Sequence, residues 1–117
     1  MIKILVLDRD PDVLLAVQDM LNVMGHHVKS VTSSADALTA LSREKFDILF
    51  TNRTDTVTKL DESLLMMFKA MQPQLPIVLT SSWYDSGGTS ALYDGLLQKP
   101  FSMADLGAMV AKLCPES

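Results

Sequence analysis

The chain has 117 residues, enough for one hydrophobic core and not for two, so residues 1–117 read as a single domain. It is 48% hydrophobic and 21% charged, which excludes disorder, and its net charge of −4 comes with no basic block, which excludes a nucleic-acid-binding role. A single cysteine, Cys114, excludes an internal disulfide; no apolar run is long enough to span a membrane, and a strand in place of a signal peptide implies a cytoplasmic protein.

Ile2-Lys3-Ile4-Leu5-Val6-Leu7 reads as a buried strand that stops at Asp8-Arg9-Asp10. Asp10-Pro11 starts a helix, with Asp10 as cap and Pro11 where its missing N–H costs nothing. That helix carries Leu14, Val17, Leu21 and Met24 on one face and stops at Gly25. Val28–Val31 is a second strand. Ser33 and Asp36 form a capping-box pattern before a helix that buries Ala37, Leu38 and Leu41.

Phe46 to Asn52 is an apolar run too short for a helix and bounded by polar residues, the pattern of a strand buried on both faces. A polar loop over Arg53–Lys59 leads to a third helix, from about Asp61 to Gln72, burying Leu64, Leu65, Phe68 and Met71. Ile77–Thr80 is the fourth strand. Gly87-Gly88 leaves room only for a short helix near Ser90 to Tyr93. Leu96-Leu97-Gln98 is the fifth strand, followed by Lys99-Pro100-Phe101. Ser102 caps a last helix that buries Leu106, Met109, Val110 and Leu113.

Strands alternating with helices require right-handed crossovers between parallel neighbours. The expected fold is therefore α/β: a doubly wound, five-stranded parallel sheet of order 2-1-3-4-5, flavodoxin-like, with about five helices. The switch point falls between the first and third strands. Asp8, Arg9, Asp10, Asn52, Thr80 and Lys99 then gather at one edge, outside the carboxyl ends of the strands.

With these residues in register, the chain resembles the receiver domain of two-component response regulators over nearly its whole length. The resemblance rests on Asp8-Arg9-Asp10-Pro11-Asp12, the run ending in Asn52, Thr80 after the fourth strand, and Lys99-Pro100-Phe101. It implies a site in which the third strand ends on an aspartate phosphorylated by a histidine kinase. Two acids after the first strand hold Mg²⁺, a hydroxyl after the fourth bonds the phosphoryl group, and the lysine pairs with it. Asp8, Thr80 and Lys99 match that pattern; Arg9 at the second acid and Asn52 at the phosphoacceptor do not.

Both departures strike at the chemistry. A neutral amide cannot form an acyl phosphate. Mg²⁺ is held by carboxylate oxygens and water, and a guanidinium in place of one carboxylate repels a positive charge 4 Å away by about 4 kcal/mol at an effective dielectric of about 20. Weak or lost Mg²⁺ binding and no metal site are expected, with Arg9 in the metal's place, bridging Asp8 and the Asn52 carbonyl. Leu96 stands where the family usually has its switch aromatic. The stretch from Thr80 to Lys99 is about three residues shorter than usual.

The reading is a degenerate receiver: a phosphorylation-independent regulatory and protein-interaction module, not an enzyme, whose partners are a histidine kinase, an output domain or a second copy. Two alternatives stand beside it. The pocket donors Arg9, Thr80 and Lys99 suit a small anion or metabolite. Asn52 could also be an experimental Asp-to-Asn change in a conventional receiver, against which Arg9 counts as an independent loss. Trp83 and Tyr84, and the pair Met66 and Met67, are candidate contact residues.

Overall fold

Ile4-Leu5-Val6-Leu7 has no polar face, and the structure gives it neighbours on both sides. It lies in β1 (Lys3–Leu7), between β2 (His27–Val31) and β3 (Ile48–Asn52), with all three parallel. The computed structural model describes residues 2–52, 59–81 and 93–115. Within them β4 (Ile77–Ser81) and β5 (Gly95–Gln98) complete a parallel sheet in the expected order, β2-β1-β3-β4-β5.

Four helices are present among the described residues: α1 (Pro11–Val23), α2 (Ser34–Arg43), α3 (Lys59–Met71) and α4 (Met103–Leu113). The further short helix expected near Ser90 to Tyr93 falls outside them, except for Tyr93, which is not helical and packs against the core. Trp83, Tyr84 and the loop after Asn52 also lie outside the described residues.

Successive side chains of a strand point to opposite faces, and this divides the core in two. Ile4, Val6, Ile48, Phe50, Val78 and Leu97 lie under α1 and α4, packed on Leu14, Val17, Leu21, Leu106 and Val110. Leu5, Leu7, Leu49, Ile77 and Leu79 face the other way, onto Ala37, Ala40, Leu41, Leu65 and Phe68 of α2 and α3. The alternation has a consequence at the strand ends. Asp8, Asn52, Thr80 and Lys99 continue the first series, so all four belong to the α1/α4 face at the carboxyl edge.

Local chemistry sets the helix ends. Asp10 caps α1 by accepting the Asp12 N–H at 2.9 Å, and Ser33 caps α2 by accepting that of Asp36 at 3.1 Å. Ser102 and Asp105 form a reciprocal capping box at α4. After α1 the chain turns at Gly25, whose φ of 91° is one that a side chain would disfavour. Met71 departs from expectation: it is 40% exposed rather than buried. Leu75, just beyond the helix, fills the core there and leaves Met71 at the rim.

Candidate functional site

Lys99 leaves β5 on the α1/α4 side, and its ammonium reaches across the carboxyl edge of the sheet. It donates to Asp8 Oδ2 at 2.8 Å and to Asn52 Oδ1 at 3.2 Å. Asp8 is buried, with its side chain 3% exposed, and its other oxygen, Oδ1, accepts the Asp10 N–H at 2.9 Å. Thr80, also buried, is the register partner of Asn52 on the adjacent strand. The Lys99–Pro100 peptide is cis, and Phe101 behind it packs against the α1/α4 core.

The structure thus brings together Asp8, Asn52, Thr80 and Lys99. It does not bring in the other two pocket residues. Arg9 is exposed and has no hydrogen bond or ion pair among the described residues, so the expected bridge from its guanidinium to Asp8 and Asn52 is corrected: Lys99 makes it. The reason is the alternation again. Asp8 and Arg9 are successive residues leaving β1, and only Asp8 continues the inward series. Asp10 is exposed and its carboxylate is occupied in capping α1. Leu96 points to the opposite face and packs with the α2/α3 core.

Among the described residues one buried carboxylate and one ammonium make the centre of this site neutral. Both Asp8 oxygens already have donors, and Asn52 adds a carbonyl oxygen but no charge. A hard divalent cation takes several anionic or neutral oxygens at once. Among the described residues the one inward carboxylate is committed to Lys99 and to a backbone N–H. Of the donors expected for a small anion, Arg9 is exposed and Lys99 is engaged twice.

Features missed in the sequence lie at the opposite, amino edge of the sheet. Gln72 donates to the carbonyls of Leu41 at 3.0 Å and Glu44 at 2.8 Å, and accepts the Phe46 N–H at 3.0 Å. Asp94 Oδ2 accepts from the Ile77 N–H at 2.8 Å and from Lys69 Nζ at 3.0 Å, tying β4 to the start of β5. Neither residue belongs to a periodic pattern, so no sequence signal marks them. His26 Nδ1 accepts the Ile2 N–H at 3.3 Å, and burial, with the chain's α-amino charge as a lesser cause, holds its pKa below the usual imidazole value.

No protein-family model matches this chain, and no curated protein matches its sequence. Solved structures do match it. A two-component response regulator from Clostridium difficile has 20% identity and a TM-score of 0.85, over 99% of this chain and 98% of that one. The response regulator TrrA of Thermotoga maritima, in complex with Mg²⁺-BeF, has 20% identity and a TM-score of 0.80, over 97% and 99%. The receiver domain of a sensor histidine kinase from Pseudomonas aeruginosa, with magnesium in its active-site cleft, has 20% identity and a TM-score of 0.80, over 96% of each chain. The chain therefore has the fold of response-regulator receiver domains. Among the described residues no helix is long and apolar enough to cross a membrane.

Proposed function

We propose that this chain is a receiver domain of two-component signalling that acts without phosphorylation, as a regulatory module whose work is binding other proteins. The observation that carries the reading is the Lys99 bridge between Asp8 and Asn52. An amide at the strand end offers no nucleophile to a phosphoryl donor. The lysine that would pair with a phosphoryl group is held by the residues already there.

The donor set supports a module independent of Mg²⁺. TrrA and the Pseudomonas receiver hold magnesium, whereas here, among the described residues, one carboxylate faces inward and Lys99 satisfies it. Among the described residues no group of three His, Cys, Asp or Glu side chains could hold a metal. Among the described residues no nucleophile–base pair stands at the site, and enzymatic activity forms no part of the proposal. The partners proposed are a histidine kinase, an output domain or a second copy of the chain.

Incubation with acetyl phosphate and Mg²⁺, followed by intact-mass measurement, tests this reading. No covalent gain is expected. A gain of one phosphoryl group, stable at neutral pH and lost in base, would refute it.

A further inference from the structure

Three methionines of α3 stand out into water: Met66 is 59% exposed, Met67 50% and Met71 40%. Single exposed apolar residues are ordinary, but helical spacing puts these on one face, together with the exposed Ala70. Among the described residues that face carries no charge, because Lys69 leaves it to bond Asp94 and the Leu75 carbonyl. α2 packs beside α3 and widens the face. Its exposed residues Ala35, Thr39 and Ser42 are uncharged too, and the Thr39 and Ser42 hydroxyls donate to the Ala35 and Thr39 carbonyls at 3.0 and 2.7 Å. Covering them leaves neither hydroxyl without an acceptor.

The charges of this surface stand on one side of α2. Asp36 and Arg43 are exposed there, two turns or about 10 Å apart along the axis. Neither side chain has an ion pair or hydrogen bond among the described residues. Parallel strands joined by crossovers make α2 and α3 run in the same direction. Gln72 sets their stagger: just past α3, it bonds the carbonyls of Leu41 and Glu44, so both helices end at one level. The midpoint between Asp36 and Arg43 then lies level with the methionines. Turned end for end, the face matches itself, with acid opposite base at both ends of α2 and methionine on methionine.

We infer that this face is a twofold dimer interface, in which α2 and α3 of one copy pack antiparallel on α2 and α3 of a second. Met66, Met67 and Met71 form its dry centre, and Asp36 of each copy pairs with Arg43 of the other at its rim. The charges select a second copy as the occupant. A net charge of −4 opposes contact between copies elsewhere on the surface, whereas an acid and a base set evenly about an apolar centre complement their own reversed image. A face about 15 Å by 20 Å falls short of the roughly 800 Å² per partner of a standard interface, so the dimer forms with rising concentration rather than permanently. The inference rests on the interaction-module reading and chooses a second copy among its partners. It uses none of the residues around Asn52, so its failure and that of the acetyl phosphate result are distinguishable.

Sedimentation of the full chain from about 10 µM to about 1 mM is expected to show a monomer–dimer equilibrium that ends at two copies. Asp36→Arg and Arg43→Asp each turn two attractive pairs into two repulsive ones, and each variant alone should dimerise about tenfold more weakly. Mixed in equal amounts, they should regain the wild-type affinity as a one-to-one heterodimer, since position 36 of each then faces the opposite charge at position 43 of the other. Met67→Glu, at the dry centre, should abolish the dimer. Circular dichroism is expected to be unchanged for all three, because each position is exposed. A wild-type chain that stays monomeric or grows beyond two copies, a charge reversal or Met67→Glu that leaves association unchanged, or a mixture no tighter than its components overturns the inference.

Discussion

Lys99 and Asp8 form an ion pair in which the aspartate side chain is 3% exposed and the lysine side chain 19%. Breaking such a pair from one side strands the other charge, at a cost of about 3–5 kcal/mol for full burial. With Lys99 partly in water, Lys99→Ala should lower unfolding free energy by about 3 kcal/mol in urea titrations; a loss below about 0.5 kcal/mol would mean that the pair is solvated. The proposed loss of phosphorylation is testable at the same residues. Asn52→Asp alone supplies a nucleophile but leaves a cation at position 9, so little Mg²⁺-dependent phosphorylation is expected. Adding Arg9→Asp should speed incorporation from acetyl phosphate, and equal rates for the two variants would deny position 9 any role. The identities of these residues were legible from the strand ends. Which cation turns inward was not legible: Arg9 lies in the bend after β1, exposed, and Lys99 makes the bridge instead.

At the scale of elements, the five strands, their order and three of the helix caps followed from apolar runs, crossover geometry and Asp or Ser at helix starts. What stayed hidden are the fastenings between elements distant in sequence. Gln72, just past the end of α3, bonds two carbonyls and one N–H around the end of α2 and the start of β3. A glutamine after a helix carries no periodicity, so nothing in the chain announces it. Gln72→Ala should destabilise the protein by about 2 kcal/mol, the order expected when buried backbone groups lose their partners. Gln72→Glu should fall between, because a carboxylate keeps the acceptor and loses the donors. Indistinguishable urea midpoints for all three proteins would contradict this account of the junction. Burial of Met71 was misjudged for a related reason: helical spacing could not reveal that Leu75, beyond the helix, takes the core position.

Across the whole molecule the sheet separates two ends with different chemistry. The carboxyl edge holds the neutral Asp8–Lys99–Asn52 site, and the amino edge holds the Gln72 junction and the N–H of Ile2 bonded to His26. Because the folded state depresses the His26 pKa, the unfolded chain takes up that proton first. The histidine's contribution to stability is therefore full above about pH 6.5 and declines as pH falls below it. Unfolding measured at a series of pH values should show this decline, and His26→Gln should flatten it; an unchanged slope would contradict the assignment. The most direct test of the central claim is a crystal structure of the chain soaked in Mg²⁺ and beryllofluoride. The account predicts Lys99 still bonded to both Asp8 and Asn52, with neither ion at residue 52; an octahedral magnesium beside Asp8 with beryllofluoride at residue 52 would contradict it.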